Sequence, residues 1–261
     1  MFGKNSRRKK LAARPLPEDW LRIVHSHCPY YARLYEADRA ELCGHIQIFL
    51  AEKRFEGCAG FKLTDEVRVC IAANACLLLL HRETDYFPDL RTVLVYPDSY
   101  FAPFTKSVGH GVLAEGHQSR AGESWPHGAV VLAWAVVQRD LADGGRTNVI
   151  LHEFAHQLDF EDGYADGAPI LGTGENFAAR KKRYATWAQV MQTEYDRLRA
   201  RIAGGNAAGE PSPLRGYGGT NPAEFFAVAT ESFFGQPREL LACHPELYAE
   251  LKYYYHQDPA T

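Results

Sequence analysis

The segment Val149-Ile150-Leu151-His152-Glu153-Phe154-Ala155-His156-Gln157-Leu158 constrains this chain more than any other. Its apolar residues frame two histidines four positions apart, with a glutamate directly after the first. In a helix that spacing puts both imidazoles on one face, one turn apart. A rigid helix can then offer two neutral nitrogens to one metal ion at about 2.0–2.1 Å. Glu153 is rotated by roughly 100° around the axis. It is poorly placed to ligate in the same way and well placed to take a proton from an activated water. Two unrelated histidines on an amphipathic helix are the plainer alternative. The apolar frame argues against it, because buried imidazoles without partners are costly.

A catalytic zinc site needs a third protein ligand and an open position. No histidine follows at the short spacing of H-E-x-x-H-x-x-G-x-x-H, and His244 and His256 are the only ones left downstream. A carboxylate on a second helix is the alternative. Asn221-Pro222-Ala223-Glu224 opens such a helix, with Asn221 as the cap and Pro222 in the first turn. Glu224 suits either a ligand or a capping box. Glu231 lies on the same face seven residues later and competes for the ligand role, or orients a ligand histidine from behind. Asp159, three residues after His156, has a similar claim, against a plain reading as a charge near the helix end.

The rest of the chain fits a single α+β domain over residues 17–261, after a flexible basic tail at 1–16 that contains Arg7, Arg8, Lys9 and Lys10. Helical spacing runs through residues 17–56 and ends near Gly57. Thr64 or Asp65 caps a second helix through Leu80, with Glu66 and Arg68 near its start and the stretch Val69–Leu80 apolar except for Asn74. Strands are expected at Thr92–Tyr96 and Ala129–Trp134, with loop and a short strand between Val108 and Gly128. A helix starts near Thr147, a Gly-rich loop spans Asp162–Glu175, and a long polar helix covers 177–203. Gly204–Gly219 is loop, and further helices begin at Pro222 and near Pro245.

A net charge of −3 gives no basic surface for nucleic acid. The apolar stretch Val69–Leu80 is too short to span a bilayer, so no membrane role is expected. Leu11-Ala12-Ala13-Arg14-Pro15 is too short and broken for the apolar core of a signal peptide. The six cysteines form no C-x-x-C pair. Reduced thiols in the cytoplasm are the expectation.

His152 to Asp159, then Tyr217, then Asn221-Pro222-Ala223-Glu224-Phe225-Phe226-Ala227-Val228 together resemble the Mlc titration factor A family. Gly60-Phe61, Val93 to Pro97, Gly122-Glu123-Ser124-Trp125 and Tyr255-His256-Gln257-Asp258-Pro259 extend the resemblance over residues 20–259. It implies a gluzincin-type, zincin-like zinc metallopeptidase, mostly helical, with a small mixed sheet beside the H-E-x-x-H helix and a catalytic region similar to that of anthrax lethal factor. One Zn²⁺ per chain would be held by His152, His156 and Glu224, with Glu153 as base. Tyr217 would lie beside the metal and donate to the oxyanion. A substrate strand would pair with an edge strand from the Val112–Trp134 region. Family members show aminopeptidase-type activity on small substrates and bind the glucose-responsive repressor Mlc, affecting sugar phosphotransferase expression. The chain ends soon after Pro259, without the longer tail of some members, and has a Gly/Ala/Pro-rich stretch from Ile202 to Pro213. Both departures bear on the repressor, less on the chemistry. A regulator-binding protein with minor proteolysis is therefore one competing expectation. A two-His-one-carboxylate iron oxygenase is another, disfavoured by the adjacent glutamate.

Overall fold

The computed structural model describes residues 2–98, 100–107, 113–120, 122–125, 128–172, 176–204 and 211–261. Helices α1 (Phe2–Ala12), α2 (Glu18–His27) and α3 (Glu36–Glu52) come first. Strand β1 (Arg54–Gly57) and helix α4 (Asp65–Leu77) follow. The middle of the chain holds β2 (Thr92–Tyr96), β3 (Tyr100–Ser107), β4 (Leu113–Arg120), β5 (Gly122–Trp125) and β6 (Ala129–Ala133). Then come α5 (Trp134–Ala142), α6 (Val149–Asp159), α7 (Phe177–Ala203), α8 (Pro222–Gly235), α9 (Pro237–Cys243) and α10 (Pro245–Tyr255). The protein is α+β and mostly helical.

One sheet has the order β1-β2-β6-β5. Its first three strands are parallel, and β5 runs antiparallel to β6 at the edge, with Gly122 opposite Leu132 and Trp125 opposite Ala129. β3 and β4 form a separate antiparallel ribbon. The stretch between Val108 and Gly128, expected as loop and one short strand, therefore contains two strands, β4 and β5. Residues 108–112, 121 and 126–127 of that stretch lie outside the described residues.

Helical spacing misjudged two places near the N-terminus. The region read as helical over 17–56 is divided by a 3₁₀ turn at Pro29–Arg33, where proline lacks the amide a continuing helix needs. It also ends at Glu52, because Arg54–Gly57 pairs with β2 in register Arg54↔Thr92 to Gly57↔Val95. A local periodicity cannot report that distant pairing.

The basic N-terminal stretch, expected to be a flexible tail, is helix α1 packed against α3. Arg8 explains the difference. Its Nε donates to Glu52 Oε1 at 2.8 Å and its Nη2 to Glu52 Oε2 at 2.7 Å. Its Nη1 donates to Asp85 Oδ1 at 2.5 Å, and the guanidinium lies 4.5 Å from the Tyr86 ring centre. Bidentate pairing in a largely shielded place fixes a helix that composition alone marks as solvated. Arg8→Ala is expected to lower unfolding stability by about 2 kcal/mol. A lowered urea midpoint would report it, whereas an unchanged midpoint would show that α1 does not depend on this pair.

Helix α4 is buried from Val69 to Leu77, and its cap Thr64 accepts from Val67 N. Together with α8, also buried on nearly all sides, it encloses α6. Phe154 points away from the histidine face into an aromatic cluster, 4.9 Å from Phe87 and 5.7 Å from Phe49 between ring centres. Burial of such rings supplies much of the drive that seats α6, and so turns His152 and His156 towards α8. Helix α6 passes into a 3₁₀ turn and stops at Gly163, whose φ of +94° is left-handed.

Candidate metal and catalytic centre

Helix α6 begins where the polar sequence Thr147-Asn148 meets its apolar run. The Asn148 side chain accepts from Ile150 N and Leu151 N, and Asp140 Oδ2 accepts from Val149 N at 2.9 Å. Helix α8 begins in the same way, with Asn221 Oδ1 accepting from Glu224 N at 2.9 Å. The carboxylate of Glu224 does not close a capping box. It turns across to α6 instead. Its Oε2 lies 3.0 Å from His152 Nε2 and 3.4 Å from His156 Nε2, and the two Nε2 atoms are 3.3 Å apart.

This triangle is the size a tetrahedral ion requires. Ligand atoms at about 2.0–2.1 Å from a metal stand about 3.3 Å apart along each tetrahedral edge. The donor set of two imidazole nitrogens and one carboxylate oxygen is also one that a divalent transition metal takes. His152, His156 and Glu224 therefore fit a metal ion.

The remaining polar groups prepare these ligands. His152 Nδ1 is 2.8 Å from Glu231 Oε1. A buried carboxylate there holds a proton on Nδ1, so Nε2, which faces Glu224 and His156, is the nitrogen left to a metal once its own proton is displaced. Glu231 Oε2 accepts from Asn148 N at 2.9 Å, and Asn148 Nδ2 donates to Asn74 Oδ1 at 2.9 Å. Asn74, the single polar residue of the apolar α4 run, thus supports the start of the histidine helix. Its isolation in that run was the sequence signal for this role. Arg215 also donates to Glu231 Oε1, a partner that the sequence did not disclose.

Of the two carboxylates considered for orienting a histidine, the structure brings only Glu231 to one. Asp159 serves the following loop: its Oδ2 accepts from Gly167 N at 3.0 Å. Gly167 O in turn accepts from Trp187 Nε1 at 3.0 Å. At this position φ is +79°, and a Cβ would meet Pro222 O at 2.6 Å, so only glycine lets the loop lie against α8.

Glu153 is buried beside the ligands, 5% exposed. Burial pushes its carboxyl up to about 7, against the opposing pull of His152 and His156. Burial alone would lower His152, but the Glu224 and Glu231 carboxylates outweigh it and hold the imidazole at about 10. Those imidazoles in turn hold Glu224 well below the usual carboxylate range despite its burial. Tyr217 sits in a 3₁₀ turn, Gly216–Gly219, with its hydroxyl donating to Glu224 Oε1 at 3.1 Å and its ring centre 5.8 Å from that of His152. The edge strand β5 packs against α6. Among the described residues, no helix is long and apolar enough to cross a membrane, and the six cysteines are free.

Residues 3–256 match the family described as Glucose-regulated metallo-peptidase M90. An uncharacterized protein of Synechocystis sp. is 42% identical over 257 residues, covering 97% of this chain and 89% of that protein. Mlc titration factor A of Salmonella gallinarum is 29% identical over 244 residues, 93% of this chain and 88% of the relative. Mlc titration factor A of Escherichia coli is 30% identical over 235 residues, 88% and 83% of the two chains. A buried two-histidine, one-carboxylate cradle with an adjacent glutamate is what a metallopeptidase needs, and it lies within the matched span. The chain belongs to the glucose-regulated metallo-peptidase M90 family and is related over most of its length to the Mlc titration factor A proteins.

Proposed function

We propose that this protein is a zincin-like, zinc-dependent peptidase of aminopeptidase type. His152, His156 and Glu224 hold one Zn²⁺, Glu153 is the general base, and Tyr217 is the oxyanion donor. The observation that carries this reading is the convergence of Nε2 of His152, Nε2 of His156 and Oε2 of Glu224 beside a buried glutamate. A bound zinc ion would supply Lewis-acid activation of the scissile carbonyl and of the attacking water.

The chain's own groups do the proton work. Glu153, with its carboxyl raised to about 7, is poised to take the water proton and hand it to the leaving amine near neutral pH. The Tyr217 hydroxyl leaves Glu224 Oε1 and donates to the developing oxyanion. Glu231 holds the Nδ1 proton of His152 throughout, so the ring keeps one tautomer. The outer edge of β5 suits an extended peptide, added as a further antiparallel strand next to α6.

The test is direct. Purified protein is assayed on aminoacyl anilides and short peptides with zinc, then after chelation and after zinc is returned. Hydrolysis that disappears with the metal and returns with it is the expected result. Activity indifferent to chelation sinks the reading, and iron with oxygen-dependent turnover in metal analysis would favour an oxygenase.

The relatives' name supports a second role. Proteins called Mlc titration factor A are named for titrating Mlc. We infer that this chain, placed in the cytoplasm, also binds a repressor of the Mlc type and so affects sugar phosphotransferase expression. Comigration of the metal-loaded protein with such a repressor in size-exclusion chromatography tests it, and separate elution at micromolar concentrations refutes it.

A further inference from the structure

We propose that Arg215 is a positioning residue that holds the Tyr217 hydroxyl at the metal centre by clamping its loop to Glu231. The proposal rests on the peptidase reading for its kinetic consequence, but its structural half can be tested without turnover.

Residues 212–219 run beside the site as a strap, tied down along its length. At its start, Ser212 Oγ is 2.8 Å from His244 Nε2, whose Nδ1 is 2.6 Å from Glu194 Oε2. Ser232 Oγ donates to Pro213 O at 3.2 Å, and Arg201 donates to Leu214 O. At its end, Tyr195 OH donates to Gly219 O at 3.3 Å. Between these ties lie two contacts to α8. Arg215 reaches Glu231 Oε1, and Tyr217 OH reaches Glu224 Oε1.

Those two acidic residues are seven apart on one helix, so Arg215 and Tyr217 grip the same face two turns apart. They differ in strength. Glu231 is 2% exposed, and it binds the half-exposed Arg215 guanidinium through a charge-assisted bond. Tyr217 is 52% exposed and offers one neutral hydroxyl. A hydroxyl that must move from Glu224 to an oxyanion needs a fixed backbone beneath it. Tyr217 stands on glycines, with Gly216 before it and Gly218 and Gly219 after it, which cost more entropy to order than any other residue. The Arg215 anchor, two residues upstream, supplies that order.

The same oxygen of Glu231 also receives His152 Nδ1. The strap and the ligand histidine therefore share one buried acceptor, which sets the hydroxyl and the metal in a common frame.

The experiment is a double-mutant cycle with a second readout. Arg215→Ala is expected to lower kcat by about 10- to 100-fold with KM changed far less, in protein whose zinc content equals that of the wild type. Arg215→Lys should recover part of it. In a Tyr217→Phe background, Arg215→Ala should cost little more, because its effect passes through the hydroxyl. Equal losses in both backgrounds would overturn the proposal. Independently, hydrogen exchange on metal-free protein should show faster exchange of the Gly218 and Thr220 amides in Arg215→Ala, with the α6 and α8 amides unchanged. Unaltered exchange at those amides would overturn the positioning role even if the protein hydrolysed no peptide.

Discussion

Glu153→Gln is expected to lower peptide hydrolysis by about 10²–10⁴-fold while leaving the metal bound. Both halves follow from the geometry. The glutamate is not one of the three atoms that form the ligand triangle, so removing its charge leaves His152, His156 and Glu224 in place. Glutamine keeps its volume, so the buried position does not collapse. What disappears is a buried carboxyl beside the ligands that burial raises to about 7 in the metal-free protein, a group suited to act as a base. Kinetics on a short peptide paired with metal analysis of the same sample check both halves. Full activity in the variant would remove Glu153 from the mechanism. Loss of metal would instead make it part of the ligand set.

The pH profile belongs to the same prediction. A carboxylate base implies that kcat/KM falls as the medium is acidified through the range where Glu153 takes up its proton. In the Gln variant the residual rate should lose this limb.

The candidate site was legible in the sequence where the chemistry is local. His152, Glu153 and His156 lie within one helix whose cap, Asn148, and apolar frame are written next to them. Glu224 was harder. Its local context, Asn221-Pro222, describes a helix start equally well, and only the packing of α8 along α6 turns its carboxylate to the histidines. Resemblance to a family, rather than spacing, carried that expectation. Arg215 was not legible at all. It precedes a glycine-rich stretch, and nothing in that stretch names Glu231 as its partner.

The fold shows the same division. Thr92–Tyr96 and the α7 residues announced themselves by their periods. Arg54–Gly57 did not, because it is a strand only by pairing with β2. The N-terminal stretch was misjudged for a related reason: Glu52 and Asp85, which bind Arg8, lie 44 and 77 residues away. Charge composition signals solvation unless such partners exist.

The second large effect concerns the metal itself, whose affinity should climb steeply with pH. Without metal, the Glu224 and Glu231 carboxylates hold His152 at about 10. Zinc binds the neutral ring only, so at neutral pH each ion that enters must displace the proton of His152. Apparent affinity should therefore rise about tenfold per pH unit from pH 6 to 9, and level off only near 10. Competition with a chromophoric chelator across that range measures the slope.

Glu224→Gln should act twice. It removes a ligand, so affinity falls by more than the roughly 10- to 100-fold that loss of an outer carboxylate costs. It also removes one of the two charges that raise His152, so the levelling-off moves to lower pH. Stability of the metal-free protein should run the other way. His152 is raised above its ordinary value, so its contribution is full below about 6.5 and is lost as pH climbs through about 10. Metal-free protein should thus lose melting temperature between these limits while zinc-loaded protein gains relative to it. An affinity that stays flat from pH 6 to 9 would mean that His152 is already neutral, and that its contact with Glu224 is not the ion pair the charges require.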